Sequence, residues 1–230
     1  MQAYSFLEFL ELPIKSSNIQ SDEEFAFSYT DEVRFNLEES EILISKVKIP
    51  MIQRDFAQGR QDKLELRTQF VNDLFKALEG KKDLNLDFIY GSISNDKENA
   101  FLPLDGQQRL TTLFLLHWLI IQLEVEKSEH FLLSLQKFSY ETRDSARKFF
   151  QNLSSFSFNG DPINSIIESL WFKDSYMLDP TISAALNMLD TIYQRYQKSE
   201  QKGCLFKQLD NLRFYVLQMN NLVGAVLLCL

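Results

Sequence analysis

The sequence predicts an α+β fold in two lobes, residues 1–123 and residues 124–230. In the first lobe, short apolar segments bounded by polar residues indicate strands mixed with helices. In the second lobe the strand signals nearly vanish, and capping residues followed by helically spaced apolar residues indicate helices. The chain has 230 residues, of which 45% are hydrophobic, with only 7 glycines and 5 prolines. This composition supports a packed core and excludes a disordered or collagen-like chain.

The first lobe begins its regular structure with a strand and a helix. Val47 and Ile49 alternate with polar residues in a strand that Pro50 either ends or places at an edge of the sheet. Asp62 is expected to cap the following helix, and Gly80 is expected to end it. Its apolar positions follow helical spacing and are expected to be buried: Leu66, Phe70, Val71, Leu74, Phe75 and Leu78.

Two further strands, 86–91 and 100–104, lead into the most apolar segment of the chain. That segment, 110–123, has 14 residues and includes two threonines, a histidine and a glutamine. Because a bilayer span needs about 20 apolar residues, it predicts a buried helix rather than a membrane anchor.

Two Asp-Pro pairs mark helix starts in the second lobe. Asp161-Pro162 and Asp179-Pro180 each place a capping carboxylate before a proline at the first helical position. The stripes expected to be buried behind them are Ile163, Ile166, Ile167 and Leu170, and then Ile182, Ala185, Leu186, Leu189, Tyr193 and Tyr196.

The sequence ends on an apolar segment. A strand is predicted over 212–219, a turn over 220–221, and an apolar run over 223–230. This run fits either a hairpin partner strand or the unshielded end of a fragment. We expect the sequence to cover only the N-terminal portion of a longer protein.

Charge and cysteine usage narrow the class of protein. The net charge of −8 argues against a protein that coats nucleic acid or an acidic membrane, although residues 46–67 carry six basic and three acidic side chains and leave room for a basic groove. Cys204 and Cys229 lack the spacing of a zinc site or disulfide framework. With no signal peptide at the N-terminus, we expect a cytoplasmic protein.

A strand passes into the apolar helix through the polar turn Asp105-Gly106-Gln107-Gln108-Arg109. Asp105 and Gln108 have the spacing of a capping box, and Gly106 would let a ligand approach the backbone. The helix N-terminus attracts phosphate, to which a guanidinium and two hydroxyl groups in the next turn would add donors. On these residues alone, an ordinary capped helix is the better interpretation.

Two segments together resemble a known family. Residues 49–60 contain Ile49-Pro50 and Gln53-Arg54, and residues 102–113 contain the D-G-Q-Q-R turn. They closely resemble the I-P-x-x-Q-R and D-G-Q-Q-R signatures of the N-terminal domain of the GmrSD-type restriction family. Weaker similarity extends over most of residues 40–190.

The resemblance implies a fold similar to ParB and sulfiredoxin. It also implies a prokaryotic defence protein that restricts foreign, often modified DNA, with nucleoside triphosphate binding or hydrolysis in this domain controlling cleavage. Sulfiredoxin chemistry itself is rejected, because no cysteine lies at the turn. The only histidines, His117 and His130, have no ligand-like neighbours in sequence, so we expect the nuclease to reside in another domain or subunit.

The site residues follow from the matched motifs. Asp105, Gln107 and Gln108 are assigned to catalysis, and Asp105 and Asp55 to a Mg²⁺ ion bound with the nucleotide. The nucleotide-binding residues are Gln53, Arg54, Gly106, Arg109, Thr111 and Thr112. Arg60 and Lys63 are assigned to DNA.

Three functions stay open at this stage. The first is an NTP-hydrolysing restriction component, whose weakness is the lack of a P-loop lysine. The second is a regulatory module that senses DNA or nucleotide without chemistry. The third is a degenerate family member or a structural fragment, in which Arg54, Arg60 and Arg109 only pair with buried carboxylates. A homo-oligomer is also left open.

Overall fold

The computed structural model describes residues 3–11, 13–16, 40–81, 84–94, 99–126 and 128–218. The strands are β1 (Ala3–Tyr4), β2 (Pro13–Ser16), β3 (Ser40–Leu43), β4 (Val47–Ile49), β5 (Leu84–Ile93), β6 (Phe101–Asp105), β7 (Phe138–Tyr140) and β8 (Leu212–Gln218). The α-helices are α1 (Phe6–Leu10), α2 (Leu64–Leu78), α3 (Gln107–Glu124), α4 (Glu129–Leu135), α5 (Asp144–Ser155), α6 (Pro162–Ile167) and α7 (Pro180–Gln197). The mixture confirms the predicted α+β class.

Six strands form one mixed sheet in the order β1-β8-β5-β6-β4-β7, and β2 pairs with β3 separately. Strand β4 is parallel to both of its neighbours, with Val47 opposite Phe101 on β6 and Phe138 on β7. Strand β5 is antiparallel to β6 and parallel to β8. Two loops that follow parallel strands therefore leave the sheet at the same edge.

Helix α3 is the centre of the hydrophobic core. Its residues from Leu110 to Ile121 are all buried, as the apolar run 110–123 predicts. A single cluster of buried side chains joins this helix to α2, α5, α7 and the sheet. The division at residue 123 stays a prediction, while β7 and β8, which lie beyond it, belong to the same sheet as β4 to β6.

The expected caps of the second half are confirmed. Asp179 accepts hydrogen bonds from the amides of Thr181 and Ile182, and Asp161 accepts one from Asn164. The expected strand over 212–219 is β8. The expected turn and apolar run over 220–230 lie outside the described residues.

Three local expectations are wrong. Asp62 lies in a 3₁₀ turn, Gln61–Lys63, and helix α2 begins without a side-chain cap at Lys63. The stripe after Asp161 is not buried throughout, because α6 ends at Ile167 and Leu170 is fully exposed. Leu66 is 61% exposed, whereas the next residue of α2, Arg67, is buried. No helix within the described ranges combines the length and apolarity that crossing a membrane requires.

Candidate functional site

The two signature segments meet at the edge where β4 and β6 end. Gln53, in the turn after β4, donates from Nε2 to the Leu104 carbonyl at 3.1 Å. The register of β4 against β6 explains this approach, because parallel neighbours deliver their following loops to one edge.

The side chain of Gln108 joins the two segments through three hydrogen bonds. Its Oε1 accepts from the amides of Ala57 at 2.8 Å and Gln58 at 2.9 Å, and its Nε2 donates to the Asp55 carbonyl at 3.0 Å. The capping box expected of Gln108 is therefore wrong. The side chain reaches across to the first segment instead of back to its own helix.

The two segments and one face of α2 enclose a cleft of about 670 Å³. This volume lies within the range of small-molecule sites. Eight residues assigned to function from the sequence line it: Gln53, Arg54, Lys63, Asp105, Gly106, Gln107, Gln108 and Arg109. Four others do not: Asp55, Arg60, Thr111 and Thr112. The sequence missed a wall of the cleft on α2, formed by Leu66, Gln69, Phe70 and Asp73.

Arg54 brings an available cation to the cleft. Arg54 is exposed, and within the described ranges its guanidinium has neither a hydrogen-bond nor an ion-pair partner. Its backbone is fixed, because the Tyr140 hydroxyl donates to the Arg54 carbonyl at 3.1 Å. Burial raises the pKa of Tyr140 well above its usual value, with Asp55 adding to the effect, so this hydroxyl stays a donor at neutral pH.

The N-terminus of α3 opens onto the same cleft without a side-chain cap. Gly106 occupies the capping position with φ of 88°, so Asp105 lies one residue too early to cap. A Cβ at Gly106 would also lie 2.8 Å from Cγ1 of Ile89. Both the left-handed backbone and this contact therefore favour glycine.

Arg109 has a structural task besides lining the cleft. Its guanidinium donates to the carbonyls of Leu86 and Phe88, the latter at 2.8 Å, and contacts the Asp105 carboxylate at 3.1 Å. Between those carbonyls, Asp87 has φ of 59° and the pairing of β5 with β8 shifts register. Arg109 therefore holds the irregular part of β5 against the start of α3.

Asp55 faces away from the cleft into an ion cluster. Arg143 binds its carboxylate with two nitrogens, Arg60 lies 3.8 Å away, and the Thr181 hydroxyl lies at 3.4 Å. The hydrogen bond to Asp55 raises the pKa of Arg143 above its usual value, so the guanidinium stays charged. The Asp55 carboxylate is thus already paired with the guanidinium groups of Arg143 and Arg60.

The remaining assigned residues are largely enclosed. The Thr111 hydroxyl donates to the Gln107 carbonyl at 2.8 Å, and the Thr112 hydroxyl lies 3.0 Å from the Gln108 carbonyl and 3.1 Å from Oε1 of Gln58. Both threonines are fully buried. Gln107 is also buried, and its Oε1 has no hydrogen-bond partner within the described structure.

A buried arginine that the sequence analysis did not identify holds the end of the first segment by hydrogen bonds. Arg67 on α2 donates to the carbonyls of Gly59 and Arg60, both at 2.8 Å, and to the Thr191 hydroxyl. Burial lowers the pKa of Arg67, and Asp190 opposes that shift. A charged residue within a helical apolar pattern is the signal that could have found it.

The structure is an α+β domain with a cleft at the carboxyl ends of two parallel strands. The family model of the GmrSD restriction endonuclease, N-terminal domain, matches residues 35–223. The chain belongs to this family and is therefore a component of a restriction system. No curated protein sequence matches the chain significantly.

Proposed function

We propose that the domain binds a nucleoside triphosphate in the cleft and thereby controls DNA cleavage by a restriction system. The observation that carries this proposal is an exposed Arg54 whose guanidinium has no partner among the described residues. It lines the same cleft as the N-terminus of α3, where no side-chain cap is present in the described part of the chain. The likeness to ParB and sulfiredoxin folds is part of the proposal.

The cleft offers phosphates two kinds of donor. First-turn amides of an uncapped helix carry partial positive charge and favour anions. A guanidinium adds charge-assisted hydrogen bonds, which are stronger than neutral ones. Lys63 lines the same cleft and lies 3.7 Å from Asp62, an exposed pair that an incoming phosphate can replace.

Mg²⁺ bound with the nucleotide fits one assigned carboxylate and not the other. Arg109 contacts one oxygen of Asp105, Oδ2, whereas Arg143 binds both oxygens of Asp55. The Asp105 side chain is 67% exposed at the cleft, and Mg²⁺ is commonly held by one or two carboxylates together with substrate phosphates. Asp55 lies outside the cleft lining and is held by Arg143. Within the described ranges, no three His, Cys, Asp or Glu side chains group as metal ligands. We therefore assign the ion to Asp105, where it would neutralise phosphate charge.

The proposal includes hydrolysis of the bound triphosphate, for which Asp105, Gln107 and Gln108 are the candidate catalytic residues. A specific observation favours a second function without hydrolysis: Gln108 uses both its amide oxygen and its nitrogen to hold the first segment. A bound triphosphate would then switch the domain between states, as a ligand does when it binds one state better. Phosphate release that requires magnesium supports hydrolysis, and binding without release supports the switch.

DNA contact and cleavage complete the proposed role. Arg60 is exposed at the end of the first segment, and Lys63 lies just before α2 in the lining of the cleft. Lysine and arginine side chains of this kind bind DNA phosphates without reading sequence. The nuclease is assigned to another domain or subunit.

The test compares two exposed arginines six positions apart. We expect Arg54→Ala to weaken triphosphate binding by roughly tenfold to a hundredfold, the scale of a lost charge-assisted hydrogen bond. Arg60→Ala is the matched control, because Arg60 does not line the cleft. Calorimetric titration with a non-hydrolysable triphosphate and magnesium measures both. Equal affinity in the two variants would remove Arg54 from the site.

A further inference from the structure

One wall of the cleft is not accounted for by phosphate chemistry. Leu66, Gln69, Phe70 and Asp73 lie at successive turns of α2 and face the cleft together. Residues three, four and seven apart share one face of a helix. The adjacent face of the same helix buries Val71, Leu74 and Phe75.

The apolar part of this wall has the character of a ligand surface. Leu66 is more than half exposed and Phe70 is partly exposed, although both belong to a helix with a large buried face. Apolar side chains open to a cleft, with a few polar groups beside them, are typical of small-molecule sites. An aromatic ring next to an aliphatic side chain offers a nucleobase a surface on which to stack.

The polar part of the wall is a carboxylate with an amide one turn earlier. Asp73 is an acceptor with two oxygens, whereas the Gln69 amide both donates and accepts. Lys76 contacts one Asp73 oxygen at 2.8 Å on the exposed surface of the helix. Such an exposed pair is weak, so a ligand in the cleft can compete with Lys76 for this carboxylate.

Resting on the proposed function, we propose that this face of α2 is the nucleobase subsite and that Asp73 selects guanine. Guanine presents two adjacent N–H donors, at N1 and N2, which match the two oxygens of one carboxylate. Its O6 accepts from an amide such as that of Gln69. Adenine and cytosine present one exocyclic amino group beside a ring acceptor, and the single N–H of uracil lies between two carbonyls that repel a carboxylate.

The test exchanges one atom of the selecting group. Wild-type chain should bind GTP at least tenfold more tightly than ATP, UTP or CTP. Asp73→Asn should lose this preference and bind xanthosine triphosphate at least tenfold more tightly than wild type does, because xanthine replaces the N2 donor by an acceptor that an amide can serve. Asp174→Asn is the control, since Asp174 is exposed on a 3₁₀ turn and does not line the cleft.

The possible results separate the two proposals. An unchanged order of base preference in Asp73→Asn, with binding that still depends on Arg54, overturns guanine selection and keeps triphosphate binding. A wild-type preference for another base overturns it in the same way. Failure of all the nucleotides to bind wild type overturns both.

Discussion

At the scale of single residues, one glutamine joins the two signature segments. Gln108 satisfies two amides and one carbonyl of the loop at Asp55, Ala57 and Gln58, three groups that the sheet does not pair. Buried or half-buried backbone groups that lose their partners cost free energy, so this side chain is expected to be as important for folding as for function.

Replacing Gln108 by alanine should lower the free energy of unfolding by about 2–3 kcal/mol, because three backbone groups lose their partner at once. Urea unfolding followed by circular dichroism measures the change. Gln61→Ala is the control, an exposed glutamine for which a change within about 0.5 kcal/mol is expected. Indistinguishable unfolding midpoints for the two variants would show that the loop does not depend on Gln108.

At the scale of elements, helix α3 carries a buried histidine inside its apolar surface. Nδ1 of His117 lies 2.7 Å from the Leu113 carbonyl, one turn back, and Nε2 has no partner in the described structure. Its ring lies 5.0 Å from the ring of Phe6. Burial lowers the pKa of His117 to about 4, against the raising effect of the Leu113 hydrogen bond.

This histidine makes stability depend on pH in the acidic range. The unfolded chain takes up the proton near pH 6.5 and the folded chain only near pH 4, so the free energy of unfolding falls as pH falls between these values. From pH 7 to pH 5 we expect His117 to account for about 2 kcal/mol of lost stability.

His117→Leu isolates this effect, because it removes the titrating group and keeps an apolar side chain. Urea unfolding at the two pH values should show a smaller loss in this variant than in wild type, by about 2 kcal/mol. His130→Leu, at an exposed position, should lose as much as wild type. Equal losses in all three proteins would contradict a neutral, buried His117.

Elements were easier to predict than their ends. Apolar spacing identified α2 and α7, because burial of one face dominates their energetics. The continuous apolar run 110–123 identified α3, which is buried from Leu110 to Ile121. The cap at Asp105 was wrong because the left-handed Gly106 intervenes, a backbone choice that the capping pattern alone does not reveal. The exposure of Leu66 depends on where α2 docks, which no local pattern contains.

At the scale of the whole molecule, the first signature segment is held by residues from distant parts of the chain. Arg143, just before α5, binds Asp55, and Thr181 at the start of α7 contacts the same carboxylate. Arg143 also lies 3.7 Å from Asp179, the cap of α7. The loop beside the cleft is therefore connected to the helical second half.

The meeting of the two segments was predictable, and the details of the site were not. Strands β4 and β6 end at Ile49 and Asp105, and as parallel neighbours they deliver the following loops to one edge. The commitment of Asp55 to Arg143 depends on contacts between residues 88 positions apart. The wall on α2 also depends on tertiary packing, because it becomes part of the cleft only when the helix packs beside the sheet.

Hydrogen exchange with mass spectrometry tests the central claim most directly. With saturating non-hydrolysable triphosphate and magnesium, backbone amides over 53–60 and 105–110 should become protected together, while those of α5, which contributes no cleft residue, should not change. Protection confined to one segment, or found elsewhere while both segments stay unchanged, would contradict a single nucleotide site built from the two signatures.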